Sequence, residues 1–253
     1  VDKTSLIYQL VSSGKYYFLS RPRRFGKSLL ISTLEAYFSG KRELFSGLAM
    51  ETLEKDWIAY PVLHMDLNTR NYDDKESLLG ILNQNLEEWE KLYGGEKQDR
   101  VPEERFMYLI KHAYELTGKK VVILIDEYDK PMLQVIGNPG LQSEYRNILK
   151  AFYGALKSCD GYIQFAMLTG VTKFGKVSVF SDLNHLMDIS MINRFSDICG
   201  ISEKELHVYF DDDIHELSVR LGVSYEEGCR LLKMNYDGYH FSEGMTDIFN
   251  PFS

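Results

Sequence analysis

Lys27 and Ser28 follow a glycine at the end of a short basic run, Arg21-Pro22-Arg23-Arg24-Phe25-Gly26-Lys27-Ser28. A triphosphate needs inward-facing backbone N–H groups, a helix N-terminus aimed at it, a lysine for its β- and γ-phosphates and a hydroxyl for Mg²⁺. Gly26 lets the backbone close on phosphate, Lys27 brings the charge and Ser28 the hydroxyl, with Arg23, Arg24, Phe25 and Leu29 completing the phosphate-contacting stretch. Asp126 lies 99 residues beyond Lys27, where the apolar run Val121-Val122-Ile123-Leu124-Ile125 ends in Asp126-Glu127. Asp126 suits a Mg²⁺ ligand acting with Ser28, and Glu127 suits a group that orients or deprotonates an attacking water. In this order the two motifs predict nucleoside triphosphate binding.

The general loop pattern is G-x-x-x-x-G-K-[ST], and Arg21 occupies the place of its first glycine. Glycine is usual there because the turn can need positive φ, which costs other residues on the order of 1 kcal/mol or more. Arg21 therefore either takes an allowed conformation with Pro22 stiffening the turn, or distorts the loop. The bland alternatives are a chance Gly-Lys-Ser on a basic surface loop, and Asp126, Glu127 and Asp129 capping a turn before Pro131.

The elements that must carry these residues are legible as an alternation. Tyr16–Ser20 reads as a buried strand. Leu29, Leu30, Thr33, Leu34, Tyr37 and Phe38 recur at helical spacing after the loop. Pro61–Leu67 is a second strand, followed by helices over Glu76–Tyr93 and Glu103–Leu116. Val121–Ile125, apolar at every position, reads as a central strand covered on both faces. A helix over Gln142–Lys157, a fourth strand over Tyr162–Leu168 and a short fifth over His185–Met191 follow. Such alternation implies an α/β fold: a parallel sheet with helices on both faces and ligands at the carboxyl edge.

The 253 residues suit one large α/β domain with a small appendage. Hydrophobic content of 44% and charged content of 26% are those of an ordinary globular protein. No stretch has the roughly 18 apolar residues of a membrane span and nothing resembles a signal peptide, so a cytoplasmic protein without membrane contact is expected. Cys159, Cys199 and Cys229 are few and scattered, and read as reduced thiols rather than disulfides or a zinc site. Net charge is −8, yet residues 1–45 carry +5 and the remainder −13. A local basic cluster in an acidic chain points to a phosphate pocket, and charge gives little support to a nucleic-acid-coating surface.

Tyr17–Ser28, Leu124-Ile125-Asp126-Glu127-Tyr128-Asp129 and Leu168-Thr169-Gly170-Val171-Thr172-Lys173-Phe174 resemble the AAA-ATPase-like family of prokaryotic P-loop proteins. So do the opening Val1-Asp2-Lys3-Thr4 and, near the end, Tyr236–Phe241 and Asn250–Ser253. Arg21 in place of glycine is usual in that family. The resemblance implies a P-loop NTPase with a five-stranded parallel sheet in the order 5-1-4-3-2, binding ATP with Mg²⁺. It also implies a partner, since members often carry a C-terminal nuclease-like domain of the PD-(D/E)XK type. Homo-oligomers are a further expectation. The missing initiator Met and the ending inside a family phrase suggest an excerpt of a longer chain.

Such ATPases place a polar sensor of the γ-phosphate or attacking water at the tip of the fourth strand, which here is Thr169, with Thr172 behind it. A strand-ending bond to backbone is the alternative for Thr169. Asn68 either holds Glu127 in a resting pose or serves a turn. Lys173, Lys176 and Arg194 are candidates for a charge-offsetting finger, none singled out by spacing. Residues 1–200 are therefore expected to form the ATPase core. From 201 to 253 the pattern predicts helices without strands, near Glu203–Arg220 and Tyr225–Asn235, each opened by a Ser-x-x-Glu capping box. The pair resembles a helical lid, with Asp211-Asp212-Asp213 on a solvated face. The reading is a Mg²⁺-dependent ATPase in which Lys27, Glu127 and Thr169 serve catalysis and Ser28 and Asp126 the metal. Lack of an Asn-Lys-x-Asp guanine motif favours ATP. The alternative is a non-hydrolysing or degenerate P-loop module that regulates a nuclease or binds nucleic acid.

Overall fold

The computed structural model describes residues 1–94, 99–173, 186–236, 238–242, 244 and 247–251. Strands β1 (Tyr16–Ser20), β2 (Val62–Asp66), β3 (Val121–Asp126), β4 (Ile163–Gly170) and β5 (Met187–Asp188) form one sheet in the order β2-β3-β4-β1-β5. Every pairing is parallel. This is the expected order 5-1-4-3-2, read from the opposite edge.

Alternation along each strand feeds two cores. Tyr16, Phe18, Ile123, Ile125, Ala166 and Leu168 face helices α4 (Lys75–Tyr93), α5 (Pro102–Thr117) and α7 (Pro139–Ser158). Tyr17, Leu19, Val122, Leu124, Phe165 and Met167 face α1 (Thr4–Ser13), α2 (Lys27–Phe38) and α3 (Ala49–Leu53). A short α6 (Lys130–Gln134) follows β3. Because β3 is covered on both faces, its six residues are all buried, as a continuous apolar run requires. Burying Asp126 at its end therefore demands hydrogen-bond partners.

The fifth strand is shorter than the expected His185–Met191. Of that span His185 lies outside the described residues, and the ladder covers only Met187–Asp188. Ile189 N–H still donates to Phe18 O, but Ser20 N–H turns to the side-chain Oγ of Ser190 at 2.9 Å. A hydroxyl thus takes the place of the next ladder carbonyl and the chain bends away.

After residue 200 the expectation of helices without strands is corrected. Strands β6 (Ile201–Ser202), β7 (Tyr239–His240) and β8 (Asp247–Phe249) form an antiparallel sheet in the order β6-β8-β7. Strands of two or three residues leave no periodic trace, and Ile248 is buried in the α1–α2 core. The single helix expected over Glu203–Arg220 is two, α8 (Glu203–Tyr209) and α9 (Asp211–Leu221), followed by α10 (Tyr225–Tyr236). The break falls at Phe210 (φ −129°, ψ 18°), and Asp211-Asp212-Asp213 forms the first turn of α9, where carboxylates meet the positive helix end. Ser202 opens α8 with the capping box its spacing predicts. No helix among the described residues is long and apolar enough to cross a membrane.

Candidate functional site

Parallel pairing brings the ends of β1, β3 and β4 to one edge, with Ser20 opposite Gly170 and Asp66 opposite Asp126. Arg21 N–H donates to Gly170 O, tying the loop to β4 before it turns. The left-handed residues of the loop are Arg24 (φ 67°) and Gly26 (φ 88°), while Arg21 is not among them. Of the two alternatives for Arg21, the backbone without positive φ is the one found, and the loop's left-handed non-glycine residue is Arg24, three residues later. A Cβ on Gly26 would meet nothing within 4 Å, so φ rather than space calls for glycine. Gly26 also makes no side-chain cap, and the first amides of α2 have no partner inside the helix. That leaves an anion-seeking helix end at Lys27.

Asp126 is 2% exposed and fully engaged. Its Oδ2 accepts from Ser28 Oγ at 2.5 Å, and its Oδ1 accepts from the Thr169 hydroxyl and from Glu127 N–H at 3.0 Å. Thr169 thus touches the carboxylate rather than backbone. Lys27 Nζ lies 3.1 Å from Glu127 Oε1 and donates to Pro22 O at 3.3 Å. The side chains of this pair are 3% and 17% exposed. Burial pushes the Glu127 carboxyl above its ordinary value, with Asp126 and Asp129 acting the same way and Lys27 opposing. Glu127 also stands at φ 53°, a conformation costing a non-glycine residue about 1 kcal/mol.

A scaffold not evident in the linear pattern holds this turn. Asp129, buried, accepts from Val171 N–H at 3.1 Å and from both Thr172 N–H and Thr172 Oγ at 2.7 Å. Tyr128 N–H donates to Thr169 O at 2.9 Å and its hydroxyl to Thr172 O at 2.8 Å. Gly170 lies against both, since a Cβ there would come within 2.5 Å of the Tyr128 ring and 2.6 Å of Asp129 Oδ1. In sequence the scaffold's residues show only as Asp129, three positions after Asp126, and Thr169-Gly170 at the end of β4, without a sign that they meet.

The remaining predicted residues are spread more widely. Arg23 and Arg24 are exposed, and Leu29 is 70% exposed. Phe25 is buried, its ring edge-on to Tyr239 and Phe241 at 4.7 and 5.4 Å. Asn68 does not reach Glu127: its N–H donates to Asp66 Oδ1 at 2.8 Å, a turn role, and the resting partner of Glu127 is Lys27. Lys173 pairs with Asp188 at 3.3 Å, and Arg194 Nε donates to Gln9 Oε1 at 2.9 Å. Lys176 lies outside the described residues.

Beside the loop opens a cavity of about 640 Å³, lined by Thr4, Ile7, Gly26, Leu30, Ile198 and Phe210 among others. This volume lies in the range of small-molecule sites. A smaller hollow of about 270 Å³, near Gly14 and Asp160, sits against the start of β1, away from these groups. Among the described residues no three His, Cys, Asp or Glu side chains gather as metal ligands. A Mg²⁺ ion here would rest on the oxygens of Ser28 and Asp126 together with phosphate oxygens, a donor set that suits it.

A parallel five-stranded sheet with Gly-Lys-Ser after β1 and Asp-Glu at the end of the interior strand β3 has the architecture of a P-loop NTPase. A family model described as "Predicted AAA-ATPase" matches residues 1–180, and the chain belongs to that family. Membership points to nucleotide binding. The chain is also 38% identical over 253 residues to an "Uncharacterized protein in vnfD 5'region" of Azotobacter chroococcum mcd 1. That match covers 100% of this chain and 46% of the relative, so the chain spans about half the relative's length.

Proposed function

We propose that this chain binds ATP with Mg²⁺ and hydrolyses it. The observation that carries the proposal is the meeting of the two motifs, Ser28 Oγ 2.5 Å from Asp126 Oδ2 and Lys27 Nζ 3.1 Å from Glu127 Oε1. Phosphates entering the loop meet the first amides of α2 and the Lys27 ammonium, which exchanges Glu127 and Pro22 O for phosphate oxygens. Bound Mg²⁺, held by Ser28 and Asp126, would offset charge on the phosphates. Released from Lys27, Glu127 takes a proton from water as its oxygen bonds to the γ-phosphorus and the bond to ADP breaks. A carboxyl whose pKa is raised by burial is a better base for this than an exposed one. Thr169 keeps Asp126 in place, and Asp129 and Tyr128 keep the strand tips in register. The cavity beside Gly26 would take the nucleoside. Coupling to an effector domain in a longer polypeptide is part of the same proposal.

Equilibrium binding of ATP with Mg²⁺, followed by phosphate release, tests this against Lys27→Ala. Loss of binding in the variant is expected. A folded wild-type protein that binds no ATP would overturn the reading.

A further inference from the structure

Arg21 stands where most phosphate loops need only a glycine, and its side chain is 1% exposed. Its Nη1 donates to Ser20 O at 3.0 Å and to Ser190 O at 2.8 Å; its Nη2 donates to Phe195 O and Ser196 O, both at 3.2 Å. The guanidinium carbon lies 4.0 Å over the ring of Phe241. Its acceptors among the described residues are thus carbonyl oxygens from three stretches of chain, and Nε has none. Burial pushes the guanidinium down to about 10, which leaves it a cation at neutral pH. A buried cation is costly, so what it holds together matters to the molecule.

At the other end of the same turn, Phe25 repeats the connection. Its ring sits edge-on to Tyr239 and Phe241, and its carbonyl accepts from Gly200 N–H at 3.0 Å. Gly200 (φ 85°) has no room for a side chain, since a Cβ there would lie 2.5 Å from Ile248 Cγ2 and 3.1 Å from the Phe25 ring. Arg21 and Phe25 bracket Pro22-Arg23-Arg24, the segment that includes left-handed Arg24. Arg21 lands on the 190–196 stretch between β5 and β6 and on the ring of Phe241 just past β7, while Phe25 lands on Gly200, which leads into β6, and on Tyr239 of β7.

We propose that Arg21 is a positioning residue that joins the phosphate loop to the C-terminal antiparallel sheet, so that a phosphate ligand on the loop and order in that sheet stabilise each other. The ligand half of this rests on the phosphate-loop reading above; the join itself does not. Reciprocity is a thermodynamic necessity: whatever factor the ligand adds to the sheet, the sheet adds to ligand affinity. Arginine is required because one planar fork reaches four carbonyls and stacks on a ring, which a lysine's single ammonium cannot do.

The test is amide hydrogen exchange, resolved by peptide, on the wild type, Arg21→Lys, Phe241→Leu and the control Val219→Ala, a position 80% exposed on α9. Without nucleotide, Phe241→Leu should speed exchange in residues 21–29, and Arg21→Lys in 239–249, by about 5- to 20-fold, a common size for coupling between sites. The control should change neither. With saturating ATP and Mg²⁺, wild-type residues 239–249 should slow by a similar factor. In Arg21→Lys that slowing should vanish at ATP concentrations that still saturate the loop, an effect that general destabilisation would not produce. Unchanged exchange of 21–29 in folded Phe241→Leu would overturn the proposal, as would undiminished ATP-dependent slowing in Arg21→Lys. If Arg21→Lys does not fold, Phe241→Leu decides both arms in its place. Should the wild type bind no ATP, the ATPase reading falls while the nucleotide-free arm still decides the join.

Discussion

Replacing Glu127 by glutamine changes charge while keeping size, the hydrogen-bonding oxygen and the φ of 53°. Two unit charges 3.1 Å apart attract by roughly 5 kcal/mol at an effective dielectric of about 20. Desolvation of both partners offsets much of this, and a hydrogen bond between charged groups nets about 1.5–3 kcal/mol. Glutamine keeps a neutral bond to Lys27, so the resting pair should weaken by about 1–2 kcal/mol. Because phosphates must displace this pair, ATP affinity should rise about 5- to 30-fold. Turnover should fall by about 10²- to 10⁴-fold with the general base removed. Titration calorimetry with ATP and Mg²⁺, paired with phosphate release at saturation, measures both. Wild-type turnover in Glu127→Gln would refute the role of the carboxylate, and unchanged affinity would refute the resting pair. The same substitution carries a pH signature. A carboxyl whose folded pKa is raised contributes stability that is intact below its ordinary value of 4.5 and is lost as pH rises through the raised value. The melting temperature of Glu127→Gln should therefore gain on the wild type between pH 4.5 and neutrality, and the acid limb of wild-type turnover should lie above 4.5.

Further outcomes can be checked on single variants. Thr169→Val removes the hydroxyl that holds Asp126, and should lower Mg²⁺-dependent turnover about tenfold or more while ATP binding without Mg²⁺ stays near wild type, measured by phosphate release against Mg²⁺ concentration. Gly170→Ala forces a methyl to within 2.5 Å of the Tyr128 ring, and should cost about 1–3 kcal/mol, seen as a drop in chemical-denaturation midpoint. Arg105 holds Glu90 by two hydrogen bonds of 3.0 and 2.7 Å between α5 and α4, both residues buried. Glu90→Leu alone should destabilise by about 3–5 kcal/mol, and adding Arg105→Met should recover most of it in a double-mutant cycle.

The loop between β1 and α2 was legible because its setting is local: a strand, a glycine, a lysine, a hydroxyl and a helix in one run. That Val121–Ile125 is an interior strand was legible because burial on both faces writes a continuous apolar segment, although it lies second in the sheet and β4 holds the centre. The strand order was reached through family resemblance, since periodicity alone says that strands alternate with helices and not which are neighbours. Local signals also found the capping box at Ser202 but not the helix break at Phe210, where three aspartates mark a helix start as readily as an exposed face.

By itself, then, the chain's pattern determined the layers and the strand–loop–helix setting of Gly26-Lys27-Ser28, because hydrophobic period and turn chemistry are properties of neighbouring residues. Tertiary structure alone decided who meets whom across the sheet edge. It set Glu127 against Lys27, turned Thr169 onto Asp126, gave Asp129 the loop after β4, and drew Tyr239 and Ile248 into a sheet packed on Phe25. Arg21 is the clearest case. Its type argued against a phosphate loop, yet its side chain leaves the loop and caps carbonyls up to 175 residues away in sequence. Contacts between residues so far apart depend on how the strands are ordered, and no window of sequence contains that information.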